Sequence, residues 1–171
     1  MTGGNMVTRP ANSLEKYLPV FDRLPKKVVL DYGSGNLRNS MFLHRMGYDV
    51  YAVDLPQKTR FKPLPRLTCI LPEDLPQLNF KFDIALCTFV LNLISTSERV
   101  WVFETLADKM SPGGYLLIET KGLTLLELDT LIIPRGFIRV HDLRGRYTLV
   151  ALYKYLGIFW QSTFTTDLNL H

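Results

Sequence analysis

"VVLDYGSGNLRNSMFLHRMGYDVYAVD", from Val28 to Asp54, places an apolar run, two glycines one residue apart, an amphipathic stretch, a β-rich run and a terminal aspartate in one continuous line. Val28 to Leu30 is apolar throughout, as expected of a strand covered by helices on both faces. Ser40 to Met46 brings Met41, Phe42 and Met46 round at helical spacing, and Gly47 stops that helix. Tyr48 to Val53 reads as a second strand ending at Asp54.

Outward from this unit the alternation continues. Upstream, Asn12 or Ser13 is expected to cap a helix running to Leu24, closed by Pro25. Downstream, Leu55 to Leu67 carries three prolines and reads as a loop. A short strand around Thr68 to Leu71 precedes "PEDLP", a turn or single helical turn. Phe82 to Val90 ("FDIALCTFV") reads as a fourth strand running into a ligand-facing turn. The helix Ser97 to Met110 is introduced by Ser95 and Thr96 with Glu98 behind them and ends at "SPGG". Tyr115 to Glu119 is a fifth strand and Leu123 to Leu131 a helix. Phe137 to His141 and Tyr147 to Tyr153 are joined by only about five residues, "DLRGR", too few for a parallel crossover, so an antiparallel hairpin is expected. Strands alternating with helices predict an α/β fold with a mostly parallel sheet and helices on both faces.

Size and composition agree with one such unit. The chain has 171 residues, 47% of them hydrophobic and 21% charged, values of an ordinary globular domain rather than of disorder. Residues 1–154 are expected to form the domain, including the helix over 12–24, with 155–171 as an aromatic tail. No apolar run reaches the roughly 18 residues of a membrane span, and Met1 to Pro10 lacks the pattern of a secretory signal, so a cytoplasmic protein without membrane contact is expected. Cys69 and Cys87 each fall in a strand and behave as small hydrophobes, which disfavours a disulfide or a cysteine-bound zinc. No His, Cys or carboxylate cluster has metal-ligand spacing.

The glycine loop is where chemistry is expected. In open α/β sheets ligands sit beyond the carboxyl ends of the strands, where Gly33 and Gly35 follow the first strand. Glycine accepts positive φ and lets backbone approach a ligand, and Asp54 stands where its carboxylate can accept both hydrogen bonds of a ribose diol. A plain turn, with Asp54 as a strand-end cap, is the competing reading. Nicotinamide and flavin dinucleotides favour G-x-G-x-x-G, but Arg38 occupies the third glycine position. Asp31 would be awkward beside a pyrophosphate; S-adenosylmethionine has a ribose, no phosphate and a cationic amino acid end.

With "FDIALCTFVLNLI" and "ERVWVFETLADKMSPGGYLLIET" added, these stretches resemble the class I S-adenosylmethionine-dependent methyltransferases, especially the small tellurite-resistance type. The resemblance runs from Val28 to about Tyr153. It implies a Rossmann-like, mostly parallel seven-stranded sheet with a terminal antiparallel hairpin, and S-adenosylmethionine as cofactor. It assigns Asp31, Gly33, Ser34 and Gly35 to the amino acid and ribose part of that cofactor, Asp54 to the ribose hydroxyls and Leu55 to the adenine. Glu73, Asp74 and Leu75 fall at the adenine edge, and Thr88 with Phe89 beside the methionine portion. Leu37 stands where many members have a third glycine.

Methyl transfer needs positioning more than a base, and no residue stands out as catalytic. The motifs of amino-methylating and cytosine-carbon DNA enzymes are absent after the fourth strand, so a small-molecule acceptor is favoured over a nucleic acid. The net charge of +4 is mild, but Lys58, Arg60, Lys62 and Arg66 follow the second strand without an acid, and Arg144 and Arg146 lie in the hairpin turn. All six are expected to rim the mouth and to favour an anionic acceptor, with His141 as a further substrate contact. A cofactor-binding scaffold subunit without turnover, with Phe159, Trp160 and Phe164 as its interaction surface, is the alternative.

Overall fold

A computed structural model describes residues 9–56 and 64–157. The basic stretch holding Lys58, Arg60 and Lys62, and the tail holding Phe159, Trp160 and Phe164, lie outside the described residues.

Among the described residues seven strands form one sheet: β1 (Val28–Tyr32), β2 (Asp49–Val53), β3 (Leu67–Ile70), β4 (Phe82–Thr88), β5 (Met110–Thr120), β6 (Phe137–Arg144) and β7 (Leu149–Tyr155). Their spatial order is β3-β2-β1-β4-β5-β7-β6. β1 to β5 pair in parallel, and β7 runs antiparallel to both β5 and β6. This is the Rossmann-like arrangement with a reversed terminal hairpin. The order reverses between β1 and β4, which leaves a crevice at their carboxyl ends.

Period-2 alternation along the strands feeds two apolar layers. On one face Val29, Val50, Ile84, Leu86 and Leu117 meet α1 (Asn12–Phe21) and α2 (Arg38–Arg45) through Leu14, Phe21, Leu37 and Leu43. On the other, Leu30, Ala85, Cys87, Leu116 and Ile118 meet α3 (Thr96–Lys109) and α4 (Leu125–Ile132) through Phe103, Leu106 and Leu128. "PEDLP" becomes a 3-10 turn, Pro72–Gln77.

Several boundaries differ from the sequence reading, each for a local reason. The N-cap of α1 is Ala11 and its side chain does not cap; Ser13 is buried and donates instead to the carboxylate of Glu119 on β5. That helix ends at Phe21, three residues before Leu24. β5 starts at Met110 and absorbs "SPGG" through a register shift against β4, with Gly113 at φ 86°. Tertiary pairing also lengthens the hairpin strands, leaving residues 145–148 as the turn. The capping of α3 is as expected, with Ser95 accepting from the Glu98 amide and Glu98 accepting from Ser95. No helix of the described residues is long and apolar enough to cross a membrane.

Candidate functional site

A cavity of about 930 Å³ opens at the carboxyl ends of β1, β2 and β4. Its floor is the glycine loop. Gly33, Gly35 and Leu37 all take left-handed φ, at 72°, 56° and 60°, so the chain bends at alternate residues before entering α2. The amides of Gly33 and Ser34 both donate to the Val53 carbonyl, at 2.8 and 3.0 Å, which clasps the loop to the tip of β2. Leu37 has a Cβ, and left-handed backbone costs it roughly 1–2 kcal/mol. Its side chain is 1% exposed, and burial worth about 1.5–3 kcal/mol offsets that strain.

A side chain at Gly33 has nowhere to go. A Cβ built there would lie 2.0 Å from Val90 Cγ2, while one at Gly35 would meet nothing within 4 Å. The first glycine thus lets the turn after β4 close down on the loop, and the second leaves open space on the lining of the cavity.

Asp54 completes the floor. Its Oδ2 accepts from the Gly35 amide at 2.5 Å and its Oδ1 from the Leu55 amide at 2.8 Å. Each carboxylate oxygen retains acceptor capacity. The rotamer is therefore fixed by backbone amides while the carboxylate still lines the cavity.

Ser34, Leu55, Thr88 and Phe89 line the same space. Thr88 is held from behind, its hydroxyl accepting from Asn39 Nδ2 at 3.0 Å, and Asn39 Oδ1 accepts from the Ala11 amide at 2.9 Å. Phe89 sits at φ 58°, left-handed for an aromatic residue, with its amide donating to the Glu119 carbonyl at 2.7 Å. Strain of this kind costs on the order of 1–3 kcal/mol and persists only where the surroundings impose it.

Three expected cofactor contacts stand elsewhere. Asp31 is not on the cavity lining: it is 1% exposed beneath the loop, with Oδ2 accepting from the Ser40 hydroxyl at 2.5 Å and Oδ1 unpartnered. Burial pushes its pKa up to about 6, against the lowering effect of the Ser40 hydrogen bonds. Leu75 is fully buried in the core, and Asp74 turns back to its own 3-10 turn, accepting from the Leu71 amide. Pro72 and Glu73 take the wall in their place, because the 3-10 turn presents its start, not its middle, to the crevice.

The opposite wall was not anticipated from the sequence. It comes from Leu93 and Ile94 and from the first turns of α3, where Glu98, Trp101 and Val102 fall at i, i+3 and i+4 and so share one helix face. That spacing was readable; what the sequence did not show is that this face looks into the crevice. In charge, Asp54, Glu73 and Glu98 outnumber Arg38 on the lining, so the cavity suits a cation.

The expected basic rim is only partly assembled. Arg66 immediately precedes β3, so it lies at the amino end of the sheet, with its guanidinium on the Gly47 carbonyl and lining a different cavity with Lys26 and Asp83. Arg144 and Arg146 do reach the carboxyl end, because β6 and β7 turn there, but they line a separate shallow depression with Gly122 and Tyr147. His141 is engaged by α1, its Nδ1 2.7 Å from the Tyr17 hydroxyl. Cys87 is fully buried, and burial raises its thiol pKa to about 12, which leaves no thiolate nucleophile there. Among the described residues no group of three metal-ligating side chains occurs.

The family model described as "Methyltransferase domain" matches residues 6–155. No curated protein matches the chain. Among solved structures, it is similar to a TehB-like SAM-dependent methyltransferase from Corynebacterium glutamicum, with a TM-score of 0.69 and 16% identity over 84% of this chain and 87% of that one. A magnesium protoporphyrin IX methyltransferase from Synechocystis with bound SAM gives a TM-score of 0.66 and 21% identity over 84% and 76%. A 1,6-didemethyltoxoflavin-N1-methyltransferase from Burkholderia thailandensis, bound to 1,6-didemethyltoxoflavin and S-adenosylhomocysteine, gives 0.67 and 21% over 85% and 79%.

Proposed function

Because the chain belongs to the methyltransferase domain family, we propose that its carboxyl-end cavity holds S-adenosylmethionine and that the protein methylates a small anionic molecule. The observation that carries the cofactor site is the Asp54 carboxylate, fixed by the Gly35 and Leu55 amides at the edge of a 930 Å³ space.

The residues present fit this cofactor. Gly35 leaves the backbone bare where the loop meets the cavity. Asp54 offers two oxygens to the ribose diol. Leu55 and Pro72 supply apolar contact for an adenine beside Glu73, and Ser34, Thr88 and Phe89 border the space left for the methionine end. Three carboxylates on the lining favour a ligand carrying sulfonium and ammonium charge. The bound cofactor would supply an electrophilic methyl group, whose transfer forms an acceptor–carbon bond as the sulfur–carbon bond breaks, leaving S-adenosylhomocysteine and releasing the acceptor's proton to solvent.

The chain's own contribution is then orientation. Holding two reactants in line can lower a barrier by roughly 7–11 kcal/mol, and the anchored Thr88 with the strained Phe89 forms the rigid boundary such alignment needs. The anionic character of the acceptor is supported by Arg144 and Arg146 at the same end of the sheet.

Isothermal titration with S-adenosylhomocysteine and, separately, with NAD tests the cofactor reading. Binding of the first in the micromolar range without binding of the second is expected. Preference for NAD, or binding of neither, would overturn it. For the acceptor, charge reversal at Arg144 and Arg146 is expected to raise KM for an anionic substrate and to weaken its dependence on salt; an unchanged KM would remove those residues.

A further inference from the structure

Charge is segregated along the carboxyl end of the sheet. Asp54, Glu73 and Glu98 gather over β2, the 3-10 turn and α3, whereas Lys121, Arg144 and Arg146 gather past the end of β5 and in the hairpin. Two carboxylates on the strands that carry this second group are engaged elsewhere: Glu119 accepts from Ser13, and Asp142 pairs with Arg139. Among the described residues, Lys121, Arg144 and Arg146 have no ion-pair partner.

Phe89 marks the boundary between the two groups. Phe89 lines the cavity, and the Lys121 ammonium lies 5.6 Å from its ring centroid. The Phe89 backbone is left-handed, φ 58°, and its amide donates to the carbonyl of Glu119 near the end of β5, two residues before Lys121. A backbone held against its preference at the edge of a cavity directs a side chain, and the side chain directed is a flat aromatic surface beside a free cation. A cation–π contact at an exposed lysine is weak, so the ammonium remains available to an anion.

We propose that Phe89 and Lys121 form the seat of the methyl acceptor, and that the acceptor is an aromatic anion whose ring packs on Phe89 while its carboxylate, or an equivalent charge, meets Lys121. Arg144 and Arg146 lie further out on the same side and steer the anion in. This seat adds a residue, Lys121, and a shape requirement to the anionic acceptor. It rests on the cofactor reading only in that the cavity must first be filled by S-adenosylhomocysteine.

The test uses the full chain saturated with S-adenosylhomocysteine, with 2-naphthoate and its neutral counterpart 2-naphthamide as probes, followed by calorimetry and ligand-observed NMR. 2-Naphthoate is expected to bind at least tenfold more tightly than 2-naphthamide. Lys121→Met is expected to abolish that preference while leaving S-adenosylhomocysteine affinity and the thermal unfolding midpoint in place. Phe89→Leu is expected to weaken both probes by a similar factor. Equal binding of the two probes, binding of neither, or a preference that survives Lys121→Met would each overturn the seat. A protein that does not take up S-adenosylhomocysteine would instead refute the cofactor reading at the first titration, before either probe is added.

Discussion

At the tips of β1 and β2 the wall of the cavity is mostly backbone: two amides on one carbonyl, two more on one carboxylate, and left-handed residues at alternate positions. At the tips of β4, β5 and the terminal hairpin the surface is mostly side chain: a phenyl ring, an unpaired lysine, two arginines and a helix tied down by Ser13 and Tyr17. A backbone wall admits few residue types and suits an unvarying ligand. A side-chain wall can be altered one residue at a time without refolding the loop beneath it, which suits the part of a methyltransferase that must differ between acceptors. The two halves should therefore respond differently to substitution.

The largest difference is expected at Gly33. Gly33→Ala combines a left-handed alanine with a Cβ 2.0 Å from a stiff valine, together about 2–5 kcal/mol of lost stability. Urea denaturation and S-adenosylhomocysteine titration should both register it. A variant as stable as the parent and binding equally well would mean that the wall yields, and the contrast between the halves would fail.

Next comes the buried carboxylate under that wall. Asp31 has a folded-state pKa of about 6, raised by burial, whereas in the unfolded chain it ionises near 4. Between these values the unfolded state has released a proton that the folded state keeps. This group's contribution to stability therefore falls as pH rises from about 4 to 6, by up to roughly 3 kcal/mol. Asp31→Asn should remove that fall and be the more stable protein at pH 7. Denaturation of both proteins at pH 4 and pH 7 checks this, and identical pH dependence would exclude Asp31 as its source.

The smallest effect is expected on the side-chain half. Ser13→Ala deletes the hydroxyl that ties α1 to Glu119 and should cost about 1 kcal/mol. S-adenosylhomocysteine affinity should stay within twofold; a larger loss would show that the two halves are mechanically joined through Ala11 and Asn39.

The same contrast explains what could be read from residues alone. Gly33, Gly35 and Asp54 were legible because positive φ and a strand-end carboxylate restrict the residue type at each position. The reversed hairpin was legible because about five residues cannot make a parallel crossover. Leu37 was visible only as a missing glycine; that a leucine holds the same left-handed bend depends on burial, which is a tertiary property. Asp31, Asp74 and Leu75 were placed by motif register, and the fold turned them inward or aside. Trp101 shares a readable helix face with Glu98 and Val102, but that this face looks into the cavity, and that Lys121 past the end of β5 meets Phe89, depends on tertiary packing from far along the chain. Arg66 closes a basic run in the sequence, yet it precedes β3, which begins at the other end of the sheet and carries it away from the mouth.

Everything in the cofactor assignment converges on one carboxylate. Titrating S-adenosylhomocysteine into the parent protein and into Asp54→Ala, with thermal unfolding as a control for folding, tests it directly. Loss of charge-assisted hydrogen bonds to the ribose should weaken binding by about 1.5–3 kcal/mol, roughly ten- to 150-fold. Equal affinity in the two proteins would place the sugar away from β2 and contradict the site.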